Sequence, residues 1–302
     1  MKNLILSFLI LFFLQTPFAQ GLEAVPFDKE WKDKLTNYLP EQALVKPDKK
    51  RKILLFDLTT GYNHWVIPHT SYMIEQLGKK SKAFSVKKSK DISAFEEKSL
   101  KKYDAVIINN TCSKREKRDL FWDVLKENPS LTEEEKINKA QQLEDNLLNF
   151  VKDGGGLAVF HGALTILNYS EQFSDLVGAS FDYHPPQQEV VVEIVEEDHP
   201  MTSHFESNAF THIDEPYFFN GAYADLNFKP LLSMDASLIE NQREPAAENT
   251  RYLAWIKSYG KGKVFYTSPS HNAQSFENTD LLQFYLNGIQ YTTGDLVCDD
   301  TP

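Results

Sequence analysis

An α/β protein built on a parallel sheet with helices on both faces is the architecture this sequence predicts, and three observations predict it. The runs "ILLF" (Ile53–Phe56), "AVII" (Ala105–Ile108) and "LAVF" (Leu157–Phe160) lack the alternation of a half-exposed strand. They read as strands covered on both faces. Segments of helical periodicity separate them, the strand–helix–strand rhythm of a parallel sheet. Each run also ends in polar or turn residues, "DLTTG", "NNT" and "HGA".

The elements follow in chain order. Lys2 precedes the apolar run "LILSFLILFFL", and "TPFAQ" follows it. This is the pattern of an export signal, residues 1–19, cleaved after Ala19. The run is short for a bilayer span, so a processed chain is favoured over an uncleaved anchor. Residues 20–51 hold an amphipathic piece, "FDKEWKDKLTNYL", and a polar linker, "KPDKKR". The domain proper is expected over 52–294, with a tail at 295–302. After the first strand, "IPHTSYMIEQLGKK" places Ile67, Met73, Ile74 and Leu77 at helical spacing, with Gly78 as the stop. "KAFSVKK" is a second strand, and "YDAVIINNT" a third that ends in Asn109 and Asn110.

The clearest helix is "LTEEEKINKAQQLEDNLLNFVKDGGG". Thr132 and Glu135 form a capping box, and Ile137, Ala140, Leu143, Leu147 and Val151 make its apolar stripe. The glycines from Gly154 end it. Further on, "QEVVVEIVEEDHP" is a strand, and "RYLAWIKSYGKGKVFYTS" is a hairpin turning at Gly260 and Gly262. The helix "NTDLLQFYLNGIQYTTG" closes a single domain.

With 302 residues, 41% of them hydrophobic and 25% charged, the chain has the composition of a folded globular protein. A formal net charge of −11 excludes a nucleic-acid binder, which needs a basic face, and an anionic membrane surface as partner. The mature chain is expected not to span a membrane, while a homo-oligomer is left open. Only Cys112 and Cys298 are present, in no metal or redox spacing, and their pairing is left open.

Function is sought in the histidines. His64 follows the first strand, His161 ends the central one, and His271 follows the hairpin. In doubly wound sheets ligands bind outside the carboxyl ends of strands, so these three can meet in one crevice. His184, in "FDYHPP", and Asp214 with Glu215, in "HIDEPYFF", come from the segments expected to roof it. Imidazole and carboxylate together suit general acid–base chemistry, and His64, His161, His184, His271 and Glu215 are also legitimate ligands for zinc, nickel or manganese. No HxH or HExxH spacing marks a metal site. His69, His199, His204 and His212 occupy no such position. The glycine triplet follows a helix and opens a strand, the reverse of a phosphate-binding loop. No GxSxG is present.

The ordered set "TTGYNHW", "GGGLAVFHGA", "VGASFDYHPP", "DHPMTSHF", "DEPYFF" and "GKGKVFYTSPSH", from about Lys52 to Gly294, resembles the ThuA-like (trehalose utilisation) family. That resemblance implies a flavodoxin-like, class I glutamine amidotransferase-like sheet with a small antiparallel extension. It also implies a role in carbohydrate catabolism, linked to disaccharides oxidised at the sugar 3-position. The amidotransferase relatives carry a catalytic cysteine in an elbow after this central strand. His161 stands at that place here, which removes thiol hydrolysis of glutamine. The family's site positions fall on His64, His161, His184, Glu215 and His271, with Asp214 and Tyr217 beside them. Ser270 stands where the family often has glycine, and Pro216 where it has leucine.

The expected function is an exported enzyme acting on a keto-sugar glycoside. His161 or His271 would be the base, Glu215 the acid or orienting group, and His64 an electrophilic or binding group. Tyr62, Trp65, His184, Asp214, Tyr217 and Asn110 would contact the carbohydrate. The competing expectation is a non-catalytic sugar-binding module of the same fold, with Tyr62, Trp65, Tyr183 and Tyr217 stacking on a pyranose.

Overall fold

The computed structural model describes residues 22–246 and 248–302; the expected export signal lies outside the described residues. Helix α1 (Lys29–Tyr38) precedes strand β1 (Arg51–Phe56). There follow α2 (Ile67–Ser81), β2 (Phe84–Ser89), α3 (Glu97–Leu100), β3 (Ala105–Asn109), α4 (Leu120–Leu125), α5 (Glu133–Lys152) and β4 (Gly156–Phe160). The second half comprises α6 (Glu171–Val177), β5 (Ser180–Tyr183), β6 (Gln188–Ile194), β7 (Ala209–Asp214), β8 (Phe218–Asn220), β9 (Lys229–Asp235), β10 (Thr250–Tyr259), β11 (Gly262–Thr267) and α7 (Thr279–Thr292).

Nine strands form one sheet in the order β2-β1-β3-β4-β11-β10-β9-β6-β7, and β5 pairs with β8 beside it. From β2 to β11 the pairing is parallel, in flavodoxin-like order, and from β11 to β7 it is antiparallel. The parallel strands run in one direction, so the loops after β1, β3, β4 and β11 all emerge on the same rim.

The uninterrupted apolar runs have a direct cause. Ile53, Leu55, Ile107 and Phe160 pack with Met73, Ile74 and Leu77 of α2 and Leu282, Leu286 and Ile289 of α7. Leu54, Phe56, Val106, Ile108 and Val159 face the other way, onto Leu143, Leu147 and Val151 of α5. Helices cover both faces, so alternate side chains find apolar partners on opposite sides.

The capping box of Thr132 and Glu135 is present. Ile137 is not part of the inner stripe: it is 53% exposed, and the packing is carried by Ala140, Leu143, Leu147 and Val151. Gly78 does not stop α2, which continues to Ser81 and closes on Lys82 in the left-handed region. Gly78 serves packing instead, because a Cβ there would lie 2.4 Å from the Phe84 ring. Helix α1 joins the core through Trp31 and Leu35, with Leu39 just beyond its end. The Lys80 ammonium, at the end of α2, donates to the carbonyls of Thr36 and Leu39. No helix among the described residues is long and apolar enough to cross a membrane.

Candidate functional site

At the carboxyl rim of the parallel strands, His64, His161, His271 and Glu215 come together. One ligating atom from each lies within 4.8 Å of all the others. The three imidazole rings stand edge to face, with centroids 5.1 to 5.3 Å apart. The carboxylate bridges two of them: Oε2 is 3.2 Å from Nε2 of His161, and Oε1 is 3.2 Å from Nε2 of His271.

His161 reaches this position by a sharp turn. Its φ is +46°, left-handed backbone that a non-glycine residue occupies at a cost of about 1–3 kcal/mol. Strand β4 ends one residue earlier, so the turn throws the ring upward from the sheet, as a nucleophile elbow does. Gly162 makes room for the neighbouring ring, because a Cβ on it would lie 2.4 Å from Cε1 of His64 and 3.1 Å from Sγ of Cys112.

The outer ring nitrogens are held by oxygen. Nδ1 of His161 lies 2.8 Å from the Ser268 carbonyl and Nδ1 of His64 lies 3.2 Å from the Asn110 carbonyl. A carbonyl only accepts, so Nδ1 of His64 carries the hydrogen and its Nε2 a lone pair. His161 has acceptors on both sides, the Ser268 carbonyl at Nδ1 and the Glu215 carboxylate at Nε2, and a neutral ring gives its one hydrogen to one of them. Nδ1 of His271 lies 3.1 Å from Oδ1 of Asn272, an acceptor, and 3.0 Å from the Gln187 amide nitrogen, a donor, so either tautomer finds a partner there. Its Nε2 makes no hydrogen bond and lies 3.2 Å from Oε1 of Glu215.

Burial sets the charge state of the three rings. Burial pulls the pKa of His161 down to about 3. Burial, and then the like charge of His161, bring His271 to about 4. His64 is lowered well below its ordinary value, first by burial and then by its two histidine neighbours. All three are neutral imidazoles at neutral pH, the form that ligates metals. Three imidazole nitrogens and a carboxylate oxygen thus face one another across one small crevice. The residue types and their spacing fit zinc, nickel or manganese.

The other expected site residues divide. Tyr217 is buried, its ring 4.2 Å from His161 and stacked on His184 at 5.5 Å. Burial raises its pKa well above the ordinary value, so it remains a phenol. His184 stands at the rim with its side chain 34% exposed, Nε2 lying 3.6 Å from Glu215 Oε2. Tyr62 is 62% exposed and meets His64 edge-on at 4.7 Å, at the mouth.

Three expected carbohydrate contacts are placed otherwise. Trp65 turns away from the cluster and stands edge-on to His69, 5.2 Å distant, because the α1 side of the sheet offers it an apolar surface. Asp214 is buried beneath Glu215 and accepts from that residue's amide at 2.7 Å. Burial raises its pKa well above the usual carboxylate range, and it fixes the loop rather than facing a ligand. Asn110 gives its side-chain hydrogen to Asn109, and it is the backbone carbonyl that meets His64.

Sequence reasoning missed Gly162, Cys112, Gln187 and Asn272. Cys112 is free, and its Sγ is 3.7 Å from Nδ1 of His64. Burial raises that thiol to about 11, which keeps it protonated. Gly162 and Asn272 each adjoin a predicted histidine, a signal that was there to be used; Cys112 and Gln187 offered none. His199 and His204 are tied to the carbonyls of Asp299 and Asp280, both at 2.8 Å. Grooves of about 610 and 990 Å³ open elsewhere, around Asp104 and Gly155 and around Lys50 and Lys79. No member of the cluster lines either, so chemistry and not volume marks the site.

Fold and rim together define a flavodoxin-like α/β protein with a buried site of three histidines and one carboxylate, each donor from a separate loop. Residues 52–292 match the family model described as "ThuA: Trehalose utilisation", and the chain belongs to that family. Membership points to a role in carbohydrate utilisation. Among solved structures, the chain is similar to a putative ThuA-like protein from Bacteroides uniformis, at 17% identity and a TM-score of 0.60 over 84% of this chain and 93% of that one. A second such protein, from Parabacteroides merdae, gives 18% identity and a TM-score of 0.58 over 84% and 94%. Among curated proteins none matches the chain.

Proposed function

We propose that this chain is an exported enzyme of carbohydrate utilisation. It acts on a keto-sugar glycoside at a divalent cation held by His64, His161, His271 and Glu215. The observation that supports the reading is the convergence of three neutral imidazoles on one carboxylate, with one ligating atom of each within 4.8 Å of all the others. When bound, such a cation polarises a carbonyl or lowers the pKa of a water.

A ketone makes the adjacent C–H acidic, so catalysis needs a group that moves that proton and a donor for the oxygen that gains charge. His161 and His271 have pKa values of about 3 and about 4, too low for a general base at neutral pH. His184 is the remaining imidazole beside Glu215, a third exposed and outside the ligating set, and it takes the proton-moving role. Tyr217, held as a phenol against His161, donates to the substrate oxygen. Tyr62 covers the mouth. Export rests on the amino-terminal run of the sequence.

The test uses protein purified without a histidine tag. Elemental analysis is expected to give about one divalent cation per chain, which chelation removes and zinc, nickel or manganese restores. Incubation with 3-keto-trehalose is expected to consume it, and His184→Gln to slow the reaction without loss of metal. Sugar affinity without turnover would identify a binding module instead. Metal-free protein that cannot be loaded would overturn the ligand assignment.

A further inference from the structure

The family match begins at residue 52, yet a segment well ahead of it reaches the site. Residues 22–28, "LEAVPFD", form neither helix nor strand, and side chains and backbone tie them down along their length. The Phe27 ring stands edge-on to His69 at 5.1 Å and to Tyr72 at 6.0 Å. Val25 packs against the core on the side of α2 and α7. The Glu23 carbonyl accepts from Nε2 of Gln274 at 2.9 Å, and the Leu22 amide donates to Oε1 of Gln187 at 3.3 Å. Irregular chain this near a terminus keeps one place only where such contacts hold it.

The last two ties lead to the loop that carries His271. Gln274 belongs to that loop, three residues past the ligand. Gln187, the residue before β6, joins the segment to the ring. Its Oε1 also accepts from Nδ2 of Asn272 at 3.3 Å, and its Nε2 lies 3.0 Å from Nδ1 of His271. A backbone amide only donates, so the Gln187 atom that meets Leu22 is the oxygen, and the nitrogen is thereby turned toward His271. Asn272 is oriented in the same way: Nδ2 donates to the Ile213 carbonyl at 2.9 Å, which leaves Oδ1 3.1 Å from the same ring nitrogen.

The three imidazoles are therefore supported differently. Nδ1 of His64 and Nδ1 of His161 rest on backbone carbonyls within the family-matched region. Nδ1 of His271 is cradled by two side-chain amides, and one of these takes its orientation from Leu22.

We propose that residues 22–28 are part of the site, and that Gln187 is a positioning residue through which they hold His271. This rests on the reading of the cluster as a cation site. Outer hydrogen bonds to a ligating imidazole fix the orientation of its ring, and their loss typically costs about 10–100-fold in metal affinity. A segment ahead of the shared domain thus sets one of the four ligands.

The experiment uses the chain from Gln20 onward, isotope-labelled at the histidine nitrogens and purified without a tag. Proton–nitrogen NMR of the metal-free protein reads the hydrogen bonding of each imidazole, with His271 assigned from the spectrum of His271→Gln. Competitive titration then gives zinc affinity. Leu22→Pro removes the one N–H in question, and Leu22→Ala keeps it. Leu22→Pro and Gln187→Leu should move the His271 Nδ1 signal, leave those of His199 and His204 in place, and weaken zinc about tenfold. Leu22→Ala should match wild type in both measurements. Gln187→Glu, which keeps an oxygen for Leu22 and Asn272, should hold zinc affinity within about threefold of wild type. An unmoved His271 signal and unchanged zinc affinity in Leu22→Pro would overturn the proposal, while zinc bound by wild type would still uphold the cation site. A lower melting temperature with no other change would overturn it too, because the segment would then serve the fold and not the ligand. A His271 signal moved by Leu22→Pro in protein that binds no zinc would uphold the role of Leu22 and Gln187 and remove the cation reading.

Discussion

Replacing Gly162 with alanine tests the ligand geometry without touching a ligand. The added methyl would lie 2.4 Å from Cε1 of His64, whereas ordinary contact begins at 3.4 Å, so the ring must retreat by about 1 Å. Its retreat is confined by His161 and His271, whose ring centroids are 5.3 and 5.2 Å away, and by Tyr62 at 4.7 Å. Metal–ligand distances tolerate only about 0.2 Å, so Nε2 leaves the coordinating position. A displaced or misoriented ligand typically costs 10–100-fold in affinity, about 1.4–2.7 kcal/mol. Overpacking adds about 1–3 kcal/mol of lost stability. The assay is competitive zinc titration of chelator-treated protein, with thermal unfolding of the metal-free form measured beside it. Wild-type zinc affinity in a folded Gly162→Ala protein would mean that His64 does not ligate, and the four-residue assignment would fall with it.

Other outcomes follow from the same geometry. Glu215→Gln should fold normally, since its side chain is near the rim, and should bind zinc about 100-fold more weakly in the same titration. His69 is buried among Phe27, Trp31 and Trp65, and burial lowers its pKa. The unfolded chain therefore takes up a proton near the ordinary pKa of about 6.5 that the folded chain refuses, so stability is full above that pH and falls below it. His69→Phe should lose less melting temperature than wild type between pH 7.5 and 5, and identical losses would contradict this. Asp119 caps α4 by accepting from the Trp122 amide, and burial, aided by the charge of Glu144, raises its pKa to about 6. Its contribution is present at low pH and lost as the pH rises through that value. Asp119→Asn keeps the cap and should gain about 1 kcal/mol at pH 7.5, after allowance for solvent screening, and nothing near pH 4. Denaturant unfolding at the two pH values checks it.

The parallel half of the fold was legible because burial on both faces writes itself as uninterrupted apolar runs, and a capping box such as Thr132–Glu135 is a local signal. The convergence of His64, His161 and His271 followed from the rule that parallel strands deliver their loops to one rim. What could not be read depended on neighbours distant in sequence. Gly78 resembles a helix stop until the Phe84 ring is seen against it. Ile137 keeps helical spacing but lies past the edge of what α5 covers. Trp65 adjoins His64 in the chain, yet the turn before α2 sets its ring against His69 and not in the cluster. The left-handed backbone of His161 leaves no mark in composition, since the following glycine would suit many turns.

No two of the four proposed donors belong to the same strand-end loop. Fragments of this polypeptide should consequently capture zinc no better than any histidine peptide. Occupancy would arise only once the whole sheet has closed, making the ion a witness to completed folding.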